Sequence, residues 1–371
     1  MKRSAVLAGV KKQVLEAPAY TLRAYVEGIK LNQNENPHDF PDDLKEEVWR
    51  RFRNRPWSRY PDFVPDGLRA RLAAFAGWKK DGVLVGNGSN ELLQATLMVV
   101  VNERASVAIP VPTFTVYGLV ARVLGGRIVS IPLDAEMRYD VDQLIERSEE
   151  AAVRVLIVCT PNNPTGSVLE KRDLARILDH FSGYVLLDEA YHEFCGASGV
   201  EFLERYPRLL ITRTFSKAIA MAGLRVGYLM GNPELVTQIA KAKLPYSVNQ
   251  FSLTAAEVAL DHIDRFRPAI DAILGERERL GAALGKLPGV KVYPSGGNFF
   301  LFELPVPPRA AFEELYRAGI LVRDVSTYPM LSRCLRVSVG KPAENDRFLS
   351  ALEQALARLA ASPAQASNRR S

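Results

Sequence analysis

VRVLIVCTPNNPTG, residues 153–166, runs from an almost uninterrupted apolar segment into a turn of asparagine, proline and glycine. A strand with one wet face alternates apolar and polar side chains; this one does not, so both of its faces are covered. Comparable runs stand on either side: VLVG (83–86), SVAIP (106–110), RIVSIP (127–132), YVLLDEA (184–190) and RLLITRT (208–214). Polar or helix-patterned segments such as ELLQATLMVV (91–100) separate them. Covered strands alternating with helices predict an α/β architecture, a mostly parallel sheet sandwiched by helices.

Beyond Asp261 the pattern changes. A long charged helix pattern, IDRFRPAIDAILGERERLGAALGKL (263–287), leads outward. VKVYP (290–294), NFFLFEL (298–304), ILVRD (320–324) and CLRVSVG (334–340) then read as strands of a second, smaller sheet, with helices near 308–317 and 342–360. The expected organisation is a large domain over 46–262 and a smaller α+β domain over 263–360. The segment 1–45 packs on the smaller domain, and a polar tail over 361–371 is frayed.

Composition narrows the class without deciding it. The 371 residues are 47% hydrophobic and 24% charged, enough to bury a sizeable core. Forty-eight basic residues oppose 42 acidic ones, a net charge of +6 that suits small anions as well as nucleic acid. The arginine run RRFRNRPWSR (50–59) reads as a solvated helix face followed by a loop, since nothing else in the chain supports nucleic-acid binding. Cys159, Cys195 and Cys334 have no CxxC spacing, and His38, His180, His192 and His262 show no ligand spacing, so no metal site is expected. The amino-terminal apolar run is broken by Lys11 and Lys12 and reads as no signal peptide; no run reaches the ~18 apolar residues of a membrane span. A cytoplasmic enzyme is expected.

The chemistry concentrates at the ends of the apolar runs. In TRTFSKAIAMAGLRVGY (212–228), Lys217 follows a strand and a hydroxyl cluster, Thr212, Thr214 and Ser216, with Arg225 close behind. A lysine held near neutrality can condense with an aldehyde, and hydroxyls with a guanidinium can hold a phosphate, although a solvated surface lysine is the plainer reading of this stretch alone. YVLLDEAYHEF places Asp188 at a strand end with Glu189 and Tyr191 beside it, where α/β proteins bind ligands; a helix-capping acid is the alternative. Asn163 projects from the tip of the opening stretch. VLVGNGSNELLQ (83–94) puts a helix start at Ser89 and Asn90, an anion site; Glu91 stands where a dinucleotide fingerprint needs its third glycine, which argues against a dehydrogenase.

Taken together these residues resemble the fold type I pyridoxal-phosphate aminotransferases, and among them the histidinol-phosphate aminotransferases. The resemblance runs from about residue 18 to 360, through LNQNENP (31–37), RYPD (59–62), GNGSNE (86–91), PTFTVY (112–117), PNNPTG (161–166), DEAY (188–191), TFSKAIAMAGLRVGY (214–228), GGNFFLF (296–302) and LRVSVG (335–340), in family order. It implies that Lys217 carries pyridoxal 5'-phosphate as a Schiff base and later moves a proton. It also implies that Asp188 pairs with the ring nitrogen, that Tyr191 and Asn163 bond the ring oxygen, and that Phe114 stacks on the ring. Ser89, Asn90, Thr214, Ser216 and Arg225 would grip the phosphate, with Tyr60 reaching it from the neighbouring subunit of a homodimer.

For the substrate, the resemblance implies that Arg336 binds a carboxylate in the wider superfamily, and that Arg323 and Tyr20 join it on the phosphate of histidinol phosphate. The expected reaction moves an amino group between L-histidinol phosphate and 2-oxoglutarate, giving imidazole-acetol phosphate and glutamate. An aromatic amino acid aminotransferase is the nearest rival and a threonine-phosphate decarboxylase the next; a cofactor-sensing transcription regulator would carry a DNA-binding domain ahead of the resemblance. Three departures stand out. Phe114 and Asn90 replace the tyrosine and aspartate of many relatives, and HDFPDD (38–43) replaces a tyrosine-glycine-proline run.

Overall fold

A computed structural model describes residues 5–16 and 27–367. In chain order its strands are β1 (Ile29–Lys30), β2 (Val83–Gly86), β3 (Ser106–Val111), β4 (Arg127–Pro132), β5 (Val153–Cys159), β6 (Tyr184–Asp188), β7 (Leu209–Thr214), β8 (Gly227–Gly231), β9 (Lys291–Val292), β10 (Phe299–Glu303), β11 (Ile320–Leu321), β12 (Arg323–Asp324) and β13 (Cys334–Ser338). A seven-stranded sheet has the order β2-β8-β7-β6-β5-β3-β4. Only β8 runs against the others, antiparallel to both β2 and β7. The α/β architecture with a mostly parallel sheet is the one expected.

The sheet interior follows from side-chain type. β5, β6 and β7 are buried almost throughout, their Val, Leu and Ile side chains meeting helices on both faces. RIVSIP differs from its expectation as a covered strand: β4 is largely open, because it is the outermost strand with β3 as its sole neighbour. Helices are set by local signals. Asn232 accepts from the Glu234 amide ahead of Pro233–Ala242, and Gly77 takes φ 70° to end Asp66–Ala76. Lys171–His180 buries Leu174, Ile177 and Leu178, one face of a helical repeat.

The second sheet is antiparallel, β12-β13-β10-β9. β1 pairs in parallel with β11, so the chain's amino-terminal part joins its carboxy-terminal part. The final helix runs Pro342–Ser367, into the stretch read from its polarity as a frayed tail. Carboxylates satisfy much of the arginine run: Arg51 bonds Asp261 at 2.8 Å and also meets Glu47, and Arg55 lies 3.7 Å from Glu257. Among the described residues no helix is long and apolar enough to cross a membrane.

Candidate active site

Six of the seven strands of the large sheet point their carboxyl ends the same way, and the site opens at that edge. From β3 the chain steps to β4 on one side and then to β5 on the other, which leaves a crevice between diverging connections. The reversed strand β8 begins at this same edge, since Gly227 is level with both Gly86 and Thr214. Arg225, just before it, is thereby delivered to the strand tips. A cavity of about 370 Å³ gathers Ser89, Asn90, Phe114, Asn163, Asp188, Tyr191, Thr214, Ser216, Lys217, Arg225, Arg323 and Arg336.

Lys217 occupies the middle. Its Nζ donates to the Gln33 carbonyl oxygen at 2.7 Å and lies 5.8 Å from the centre of the Tyr191 ring. Burial lowers its pKa to about 7; the positive charges of Arg336, Arg225 and Lys30 act the same way, and Glu35 opposes them. An appreciable share of the amine is therefore a free nucleophile at neutral pH.

Asp188 closes the floor. Burial pushes its carboxyl above the ordinary range, and hydrogen bonds from Tyr117, the Ala190 amide and Thr212 pull it back. Tyr117 Oη donates to Oδ2 at 2.7 Å and the Ala190 N–H to Oδ1 at 3.1 Å. The Tyr191 hydroxyl accepts from Asn34 Nδ2 at 3.0 Å, and burial raises its pKa. Glu189 turns to the other side of the sheet and pairs with Arg213.

At the other end lies a cradle for an anion. Helix Ser89–Val100 starts after Gly88, which has φ 75°, and its first two residues, Ser89 and Asn90, line the cavity. Arg225 Nη1 donates to Ser216 Oγ at 3.1 Å, and the Thr214 hydroxyl donates to the same oxygen at 2.9 Å. The backbone is packed closely here. A Cβ at Gly227 would lie 2.4 Å from the Ser89 nitrogen, and one at Gly88 would lie 2.5 Å from Arg225 Nη2.

Arg323 and Arg336 line the side facing the smaller sheet. Arg336 donates to Asn163 Oδ1 and to the Asn32 carbonyl, with its guanidinium carbon 5.4 Å from the Phe299 ring centre. Arg323 also borders a larger chamber of about 970 Å³, which shares Asn32, Phe114 and Tyr328 with the cavity.

Two expected site residues are not among these. Tyr60 stands outside the cavity of its own chain, stacked on Tyr246. Tyr20 lies outside the described residues. Conversely, Tyr117, Tyr328 and the run Asn32–Glu35 line the cavity without having been singled out. Tyr117 carried a signal, standing three residues after Phe114 at a helix start. The polar run between Leu31 and Pro37 carried another.

The family description for aminotransferase class I and II matches residues 26–352. The chain is 38% identical to a histidinol-phosphate aminotransferase of Chlorobaculum tepidum, over 88% of this chain and 94% of that one. It is 36% identical to the enzyme of that name from Aquifex aeolicus, over 95% and 99%. The crystal structure of histidinol-phosphate aminotransferase from Sinorhizobium meliloti in complex with pyridoxal-5'-phosphate shares the fold, with a TM-score of 0.83 and 24% identity over 90% of this chain and 92% of that one.

Proposed function

Because the chain belongs to the class I and II aminotransferases, we propose that it moves an amino group between L-histidinol phosphate and 2-oxoglutarate, yielding imidazole-acetol phosphate and glutamate, with pyridoxal 5'-phosphate as its cofactor. One observation carries the choice of substrate. Arg323 and Arg336 are direct partners across the antiparallel pair β12–β13, and both border the cavity that holds Lys217. A dianionic phosphate, bound by two guanidinium groups, is the ligand class that this pairing suits.

The donor set fits the cofactor: a buried carboxylate at one end, an amine in the middle, and hydroxyls, a guanidinium and a helix start at the other. When bound, pyridoxal phosphate supplies an aldehyde for condensation with amines and a ring that withdraws electrons from the substrate carbon. Ser89, Asn90, Thr214, Ser216 and Arg225 hold its phosphate. Asp188 holds a proton on the ring nitrogen, Tyr191 and Asn163 bond the ring oxygen, and Phe114 covers a ring face. Lys217 would hold the cofactor through its amine and would move a proton at the substrate carbon. Tyr60 serves the cofactor phosphate of a second chain in a cytoplasmic homodimer, a reading supported by its exposure and its place outside its own cavity.

A substrate panel on the purified enzyme tests the assignment. Histidinol phosphate with 2-oxoglutarate is the expected best pair, and Arg323→Leu lowers kcat/KM for it by roughly 100-fold while phenylalanine turnover changes little. Faster turnover of phenylalanine or tyrosine by the unaltered enzyme would overturn the reading in favour of an aromatic aminotransferase. Carbon dioxide release from threonine phosphate would point to a decarboxylase.

A further inference from the structure

Tyr60 exposes 80% of its surface, yet its ring is held in place. It stacks on Tyr246 with centroids 4.6 Å apart and planes 20° from parallel, while Phe63 meets Tyr246 edge-on at 5.6 Å. Tyr246 itself has φ 56°, a left-handed conformation that a bulky residue keeps only where its surroundings enforce it. The enforcing contacts are next to it. Ser247 Oγ accepts from Lys243 Nζ at 2.6 Å and donates to Glu91 Oε2 at 2.9 Å. Glu91 lies in the first turn of the helix that begins at Ser89, and the same oxygen accepts the Asn87 amide at 2.6 Å.

We propose that Tyr246 is a positioning residue that presents Tyr60 to the cofactor site of a second copy of this chain, and that Ser247 and Glu91 fix its loop to the anion cradle of its own chain. The inference rests on the homodimer reading above and names a residue that reading does not contain. Its physical content is preorganisation. A tyrosine on an open surface segment would lose rotamer freedom on reaching a neighbouring site; a stacked ring has lost most of it beforehand. Phe63 and Leu244, likewise exposed beside the stack, give the second copy an apolar surface to cover.

The direction of action makes the proposal testable, because Tyr246 should matter to the partner's site and not to its own. In the homodimeric holoenzyme, Tyr246→Ala is expected to speed cofactor release roughly three- to tenfold, the range for losing one aromatic pair. Tyr246→Phe, which keeps the stack, stays near the unaltered rate. Ser247→Ala, which frees the loop without emptying the stack, shifts release in the same direction as Tyr246→Ala and serves if that variant folds poorly. Mixed dimers are then assembled from differently tagged chains, one carrying Lys217→Ala. Paired with a Tyr246→Ala chain, the one site that retains Lys217 receives Tyr60 from a chain whose Tyr246 is intact, so its release rate and KM return to normal. Failure of that rescue, while a Tyr60→Ala chain is rescued in the same way, overturns the proposal and leaves the dimer reading standing. A monomeric enzyme in sedimentation, or a Tyr60→Ala chain that is not rescued, overturns both.

Discussion

The Tyr117 hydroxyl donates to Asp188 Oδ2 at 2.7 Å, joining the helix after β3 to the tip of β6, two strands away. Of the hydrogen bonds that hold the Asp188 carboxyl down against burial, this one contributes most. In Tyr117→Phe the buried carboxylate loses a neutral donor and its pKa rises further above the ordinary range. In the role proposed for Asp188, its ionised form keeps the ring nitrogen protonated. The acid limb of the bound cofactor's spectral titration therefore moves to higher pH, and kcat/KM at neutrality falls by roughly tenfold. An acid limb that stays in place would rule out this role for Tyr117.

Lys217 has its pKa lowered from 10.5 to about 7. Below about 7 the lysine is protonated in both folded and unfolded chains, and the full cost of a buried charge is present. Between 7 and 10.5 the unfolded chain binds the extra proton, so stability rises with pH across that window. Lys217→Met removes the titrating group. Denaturant unfolding of the cofactor-free protein should show the unaltered chain gaining on the variant from pH 7 to 10. The same pKa sets the nucleophile: covalent capture of the cofactor aldehyde should be half-maximal near pH 7, where an exposed lysine would still be almost wholly protonated.

Gly88 combines a positive φ with a close guanidinium. Gly88→Ala forces a side chain into a backbone conformation, φ 75° and ψ 165°, that is essentially reserved for glycine, at about 1–3 kcal/mol, and pushes Arg225 from the cradle it shares with Ser216. A lower melting temperature is expected together with cofactor affinity weakened by roughly tenfold. Inorganic phosphate is expected to protect the unaltered apoprotein against heat, and the variant should lose much of that protection.

How far the sequence reveals all this can be read residue by residue. Lys217, Asp188, Asn163 and Ser89 stand at the ends of apolar runs, and a parallel sheet brings strand ends together whatever the strand order. Their meeting was therefore legible without coordinates. The reversal of β8 was not, because an apolar run carries no mark of direction; yet that reversal is what returns Arg225 to the same edge. Gln33 reaches Lys217 from 184 residues away through the pairing of two-residue strands β1 and β11, too short for any periodicity to announce. The facing of Arg323 and Arg336 depends likewise on the register of a two-residue strand. Tyr117 was hidden by its helix, whose first turn packs its ring edge-on against Phe114, centroids 5.5 Å apart, and sets its hydroxyl on Asp188.

Strand alternation separates chemistry from support. Asp188 and its register partner Thr212 face the cavity side, so Glu189 and Arg213, one residue on in each chain segment, face the opposite way. They meet there as a buried ion pair, Arg213 Nη2 to Glu189 Oε2 at 2.8 Å, with side chains 6% and 0% exposed. Ser198 donates to Glu189 at 3.1 Å and the Gly199 amide bonds its other oxygen at 2.6 Å, so the carboxylate is fully engaged. Arg213→Met leaves that carboxylate buried without its counter-charge and should cost about 3–5 kcal/mol in denaturant unfolding. Arg213→Met combined with Glu189→Met removes both charges and should recover much of the loss, since taking an ion pair out of water offsets most of its attraction. Neither residue lines the cavity. The double variant should therefore keep the spectrum and release rate of the bound cofactor; if those change while stability is restored, the pair acts on the chemistry through Asp188 and not on the fold alone.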